Sequence, residues 1–292
     1  MLVIGRSGQL ALSLAERAPQ HGIELLIAGR PEFDLADARA IRETVRASGA
    51  ETIINAAAYT AVDKAEDEPD LAHQINAIAP AWLAEAAAEC GARLIHVSTD
   101  YVFEGNGERA WIEDDVTSPA SVYGRTKLAG EEAIRERLDR HAIVRTAWVY
   151  SPFGSNFVKT MLALAQTRPE LRVVGDQIGN PTSALDLADG LLAMVAGWRE
   201  DPEQGLGRTY HLAGTGSVSW ADFAREVFAL SASRGGPAAN VTAIASAEWP
   251  AKAPRPLNSR LDSTRFHETF GYAPPPWQES LATVVDRLLA SD

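Results

Sequence analysis

Short apolar runs and longer stretches with helical periodicity alternate through the first half of the chain. β-type runs stand at Leu2 to Ile4, Ile23 to Ala28, Thr52 to Asn55, Arg93 to Ser98 and Ala142 to Thr146. Between them, apolar residues recur at three- and four-residue offsets over about Gln9 to Ala18, Asp37 to Ser48, Leu71 to Glu89 and Val122 to Arg137, as helices with one buried face require. Parallel strands need such crossover helices, so the alternation predicts an α/β fold with a doubly wound parallel sheet. From about Ser151 the texture changes to loops rich in proline and glycine, including Gly179, Asn180, Pro181, Pro250, Pro254 and Pro256. A helical stretch, Leu185 to Trp198, and a β-type run, Thr209 to Leu212, resume the first pattern. The expected division is residues 1–150 with 182–215 returning to them, and a smaller C-terminal lobe of 151–181 and 216–292 that caps a substrate.

Composition narrows the class. A chain of 292 residues with 46% hydrophobic residues can bury a full core. Its formal net charge of −12 argues against a sequence-independent grip on nucleic acid or on an anionic membrane. No apolar run reaches the ~18 residues of a membrane span, and Met1 to Ile4 passes straight into Gly5 without a signal-peptide pattern. With one cysteine, Cys90, an internal disulfide is excluded, and a reducing, cytoplasmic setting is expected. Cys90 closes an alanine-rich helix before Gly91 and reads as a packing residue. The histidines show no metal-ligand spacing, no metal site is expected, and His96, inside a strand, reads as a core residue.

Candidate chemistry begins at the first strand. Gly5, Gly8 and Ala11 follow it at three-residue intervals and open the first helix. Gly5 allows a tight turn, Gly8 keeps a side chain out of a phosphate path, and Ala11 permits close helix packing, while the amides of the first turn, around Gln9 and Leu10, can meet a pyrophosphate. Where a Rossmann-type second strand would end in an acid that binds a ribose hydroxyl, this one ends Gly29, Arg30. Arg30, with Arg6 in the glycine loop, can pair with a 2′-phosphate, which favours NADPH and leaves NADH as the alternative. Asp34 and Leu35 follow at the adenine end, and Asp37 reads as the cap of the next helix. Asn55, Ala56, Ala57, Ala58 and Tyr59 end the third strand with mostly small side chains that leave room for a flat cofactor.

A second constellation follows. The fourth β-type run ends Ser98, Thr99, Asp100, Tyr101, and Tyr123 and Lys127 come four residues apart on one helix face. An ammonium near the phenol would favour its ionised form, and each unit of depression from ~10 corresponds to ~1.4 kcal/mol. Tyr123 is therefore expected to donate a proton to a carbonyl whose oxygen Thr99 also holds.

The runs Gly5 to Ala11, Asn55 to Thr60, Ser98 to Phe103 and Tyr123 to Glu131 together resemble the extended short-chain dehydrogenases/reductases, and more narrowly the dTDP-4-dehydrorhamnose reductase family. Arg145 to Tyr150, Gly154 to Phe157, Gly175 to Gln177 and Arg255 to Ser259 continue the resemblance to nearly the whole chain. It implies Thr99, Tyr123 and Lys127 as the catalytic set, Lys127 also holding the nicotinamide ribose. Asn55, Ala57 and Tyr59 would approach the cofactor, and Asp100, Tyr101 and Trp148 the sugar. Asn156, Arg255 and Asn258 would lie on the nucleotide diphosphate side. The implied reaction is reduction of the 4-keto group of a dTDP-sugar to dTDP-L-rhamnose, a step feeding cell-surface polysaccharide. Some relatives form magnesium-bridged dimers through an acid two residues past the third glycine position; Ser13 stands there, which argues against magnesium while leaving a homodimer open. Two alternatives stand beside the reductase: another extended-family nucleotide-sugar epimerase or dehydratase, and a non-catalytic role like that of the methionine adenosyltransferase β subunit.

Overall fold

The computed structural model describes residues 1–290. Strands β1 (Leu2–Ile4), β2 (Leu26–Ala28), β3 (Thr52–Asn55), β4 (Arg93–Thr99) and β5 (His141–Thr146) pair in parallel, and the strand Arg208–His211 adds to the free side of β5. Across the sheet the order is Arg208–His211, β5, β4, β3, β1, β2. The chain leaves β1 on one side for β2 and returns on its other side for β3. At that reversal a crevice opens outside the carboxyl ends of the strands, the place where doubly wound sheets bind ligands.

Side chains along each strand alternate between two buried faces. Val3, Ile54, Ile95 and Val144 pack against helices α1 (Gln9–Arg17) and, further along the chain, Ala184–Glu200, through Leu14, Leu191, Leu192 and Trp198. Leu2, Ile4, Ile53 and Leu94 face the other way, onto α2 (Ala38–Ser48) and the later helices that carry Leu83, Ala87 and Ile134. With both faces covered, the strands read as nearly continuous apolar runs, which is why they were visible in the sequence. A separate core gathers Tyr150, Val158, Leu162, Leu171, Val173, Phe223, Val227, Trp277, Leu281 and Val285. No helix among the described residues is long and apolar enough to cross a membrane.

The structure corrects three expectations. The second strand starts at Leu26 and not Ile23, because its partner β1 offers only Leu2, Val3 and Ile4 for pairing. As an edge strand it leaves Leu26 and Ile27 exposed. The helix expected over Leu71 to Glu89 is broken: after α3 (Val62–Ala65) come α4 (Pro69–His73), a π turn at Gln74–Ile78 and α5 (Ala79–Cys90). Pro80 has no N–H to give the carbonyl of Asn76 four residues back, and its ring would press on that oxygen, so the backbone widens there. The Asn76 side chain, fully buried, accepts from Tyr59 N at 2.8 Å and donates to Thr126 Oγ1 at 3.1 Å. Cys90, third, is exposed on the outer end of α5 and packs against no core.

The widened turn has a partner. Helix α6 (Val122–Arg137) lies against it, and a Cβ on Gly130 would penetrate the Asn76 carbonyl oxygen. In an ordinary helix interior, replacing glycine by alanine gains roughly 0.5–1 kcal/mol. Here we expect Gly130→Ala to reverse that sign and lower stability by about 1–3 kcal/mol, measured by chemical denaturation, because backbone must shift to admit the methyl.

Candidate active site

A cleft of about 620 Å³ lies over the carboxyl ends of β1, β3 and β4. At its floor Gly5 adopts φ 122°, and its N–H donates to Ala28 O at 2.8 Å, so the chain turns sharply out of β1. Nothing stands within 4 Å of a Cβ built on Gly8, so the approach to the start of α1 is open. That helix has no side-chain cap and no acid in its first turn, leaving amide N–H groups and the positive end of its dipole toward the cleft. These features, with Ala56 and Ala57 opposite, fit a dinucleotide diphosphate and a flat ring.

The expected cofactor residues mostly meet here. Gly5, Arg6, Gly8, Gln9, Leu10, Arg30, Asp34, Leu35, Ala56 and Ala57 line the cleft. Arg6, however, is paired with Glu32, an exposed acid the motif reading passed over although it lies just past the end of β2. Asp37 caps α2 as expected, accepting from Arg39 N and Ala40 N. Two residues are turned away. Asn55 is buried with its amide on His96 and Ala57 N, and Tyr59 donates its hydroxyl to Glu68 at 2.6 Å. Asn55 ends β3 and Tyr59 follows four residues later, and the cleft is lined by the small residues between them.

Thr99, Asp100, Tyr101, Tyr123 and Lys127 converge on the same cleft. Thr99 ends β4, donates to Asp100 Oδ1 at 3.0 Å and accepts from Tyr101 N at 3.3 Å. Ser121 caps α6 by accepting from Gly124 N at 3.1 Å. A Cβ on Gly124 would collide with the Tyr101 carbonyl, so the glycine after Tyr123 lets the helix seat its phenol beside the strand end. Burial raises the Tyr123 pKa, a bond with Thr99 opposes the rise, and Asp100 and Tyr101 add to it. The phenol therefore keeps its proton. Depression by Lys127, expected from the four-residue spacing, is overturned: Lys127 Nζ donates to Val97 O at 2.7 Å and lies 3.1 Å from His96 Nε2. Burial lowers the Lys127 pKa to about 8, while the Glu131 carboxylate one turn on works to raise it. Asp100 is pushed up to about 6 by burial, against hydrogen bonds from Ser259 and Thr99 that work to lower it.

Trp148 forms a wall of the cleft. Its backbone is in the left-handed region at φ 48°, and its ring stacks on Trp220 with centroids 3.5 Å apart and planes at 10°. A Cβ at Gly179 would occupy the space of that indole, so glycine there is a requirement of the stack. Tyr101 packs edge-on to Tyr123 at 5.4 Å and accepts from Arg255 Nη1 at 3.2 Å. Arg255 also donates to Asp63 Oδ2 at 2.6 Å, an acid the sequence reading did not single out.

Asn156, Arg255 and Asn258 do not line the cleft. Asn156 caps α7 (Phe157–Ala165), and its amide donates to Gln9 Oε1 and Ser151 O. Asn258, buried, donates to Asn106 O and Arg109 O and holds Arg260. Ser13, the position tested for a metal ligand, is buried on α1 and donates to Gln9 O at 2.9 Å.

Known proteins resemble this chain along nearly its whole length. The family model described as RmlD substrate binding domain matches residues 1–290. A dTDP-4-dehydrorhamnose reductase of Sinorhizobium fredii is 44% identical over 289 residues, covering 99% of this chain and 97% of that protein. The crystal structure of a dTDP-4-dehydrorhamnose reductase from Clostridium acetobutylicum superposes with a TM-score of 0.90 at 38% identity, covering 99% of both chains. That of the Bacillus anthracis enzyme, in complex with NADP, gives 0.88 at 34% identity over 100% of this chain and 98% of that one. On this evidence the chain belongs to the RmlD substrate binding domain family, the oxidoreductase family of the dTDP-4-dehydrorhamnose reductases.

Proposed function

We propose that this chain reduces the 4-keto group of dTDP-4-dehydro-L-rhamnose with NADPH. The observation that carries the reading is the convergence of Thr99, Tyr123 and Lys127 on a cleft whose floor is the Gly5–Gly8 turn. A nicotinamide, when bound, supplies the hydride. The glycine turn and the α1 amides would hold its diphosphate, Ala56 and Ala57 would flank it, and Arg30 would meet a 2′-phosphate. Support for NADP over NAD comes from Arg30 at the cleft and from the NADP bound by the Bacillus anthracis relative.

Toward the sugar, Trp148 and Tyr101 form walls, and residues 151–181 and 216–290 would make the lobe that closes over it. Tyr123, neutral at physiological pH, gives its proton to the carbonyl oxygen as that oxygen gains charge. Thr99 swings its hydroxyl from Asp100 to the same oxygen and orients it. Lys127, on the same cleft, would hold a ribose hydroxyl. Arg255, beside Tyr101, would meet the diphosphate of the sugar nucleotide.

Four outcomes test this reading. Tyr123→Phe keeps cofactor binding and loses turnover by a factor of ~10² to 10⁴, followed as NADPH oxidation with the 4-keto sugar; near-normal turnover would remove Tyr123 as the acid. Net, stoichiometric oxidation of NADPH by the 4-keto sugar separates the reductase from an epimerase or dehydratase, whose reactions leave no net change in the cofactor. Because the ammonium of Lys127 exists only below its lowered pKa, kcat/KM should fall as pH rises through about 8. Arg30→Ala should weaken NADPH by roughly 10- to 100-fold, the worth of one charge-assisted hydrogen bond, and leave NADH nearly unchanged in initial-rate KM measurements.

A further inference from the structure

His96 is fully buried on β4, yet its ring reaches the active-site lysine. Nε2 lies 3.1 Å from Lys127 Nζ, and Nδ1 lies 3.0 Å from Asn55 Nδ2. Protons do not balance in that arrangement. An ammonium and an amide NH2 both donate, and an imidazole that accepts at both nitrogens would be an anion. One of the two neighbours must yield. Either Lys127 is a neutral amine that accepts from Nε2–H, or the Asn55 amide is turned over so that its oxygen accepts from Nδ1–H.

The second arrangement costs less. In the turned-over amide only the long 3.3 Å bond from Ala57 N to Asn55 Oδ1 is given up. A neutral Lys127 would discard a 2.7 Å bond to Val97 O as a charged donor, and the attraction of the buried Glu131 carboxylate on the same helix. Around the pair stand Glu131 and Arg135 on α6 and His141 and Arg145 on β5; Arg145 and Arg135 both bind Glu131. Burial first, then the neighbouring Lys127, hold His96 well below its ordinary pKa, so the ring stays neutral.

We propose that His96 is the positioning residue of the catalytic lysine: as the neutral Nδ1–H tautomer it accepts one ammonium N–H while the Val97 carbonyl accepts a second, which leaves a single N–H to point into the cleft. The ammonium has three donors, so two fixed acceptors determine the direction of the third. This inference rests on the proposed role of Lys127 beside Tyr123. It adds that the aim and charge of Lys127 are set from behind, by a residue that touches neither substrate nor cofactor.

The test is an NMR titration of the full-length chain carrying [13Cε]lysine and [15N]histidine. The four lysines, Lys64, Lys127, Lys159 and Lys252, are few enough to assign by substitution. In the parent chain the 15N shifts of His96 should show the Nδ1–H form across neutral pH. In His96→Leu the Lys127 titration should move to lower pH by about one to two units, the equivalent of one lost hydrogen bond to a charged group. In His96→Gln, whose carbonyl oxygen can replace Nε2 as acceptor, it should stay close to the parent. The basic limb of kcat/KM should follow Lys127 in each variant. An Nε2–H tautomer, or a Lys127 titration that does not move in His96→Leu, overturns the proposal. Should His96→Leu not fold, the parent tautomer still decides. If Lys127 moves while the kcat/KM limb stays, His96 does position the lysine and it is the role of Lys127 in turnover that fails.

Discussion

The seat of α6 is the constraint from which the rest of this molecule follows. Two contacts set it: Gly124 against the carbonyl of Tyr101, and Gly130 against the carbonyl of Asn76. Both are places where backbone meets backbone, so neither neighbour can rotate out of the way. Seated by them, the helix carries Tyr123 and Lys127 toward the cleft and Glu131 inward. A helix held a methyl group further out would withdraw the phenol from the tip of β4, and displacement on that scale in the proton donor proposed above would be severe for catalysis. The π turn at Gln74–Ile78 belongs to the same constraint, because Pro80 frees the carbonyl that Gly130 approaches.

Under that helix lies a set of buried charges that only makes sense together. Glu131 accepts from Arg145 through two bonds, at 2.9 and 2.7 Å, and from Arg135 at 2.8 Å. Those arginines hold its carboxyl below the ordinary range in spite of burial. Burying any one of these ions alone would be prohibitive, and their mutual attraction in a medium of low polarity offsets much of the desolvation. The product is a permanently negative group one turn from Lys127. A lysine this deep would otherwise surrender its proton readily, so the Glu131–Arg145 pair is as much a part of the site's electrostatics as the residues that line it.

Much of this was legible in the sequence, and the reasons differ from residue to residue. Strands buried on both faces announce themselves as apolar runs, and the Tyr123–Lys127 spacing translates directly into a shared helix face. Gly5 and Gly8 act through local backbone geometry, which local sequence records. What was not legible depends on who sits across the fold. Asn156 and Asn258 have the composition of ligand contacts but spend their hydrogen bonds on a helix cap and on loop carbonyls. Tyr59 is claimed by Glu68, and Arg6 by Glu32. The break at Gln74–Ile78 required knowing that Pro80 and Gly130 meet the same carbonyl. His96 looked like core and is core; that one edge of its ring touches Lys127 is a fact of strand register between β3 and β4 and of the helix laid over them.

Trp148 carries a last consequence. Its left-handed backbone costs of order 1–3 kcal/mol and persists because Trp220 on one side and the bare backbone of Gly179 on the other fix the ring, with Thr182 N donating to its carbonyl. The strain resides in the main chain and the compensation in the side chain. Any smaller L-residue at 148 would inherit the first and forfeit the second, whereas glycine would be free of both. The shape of the cleft at this wall is therefore not open to gradual adjustment through a ladder of progressively smaller side chains. Remodelling it calls for paired changes in the indole, its stacking partner and the glycine beneath, made at one step.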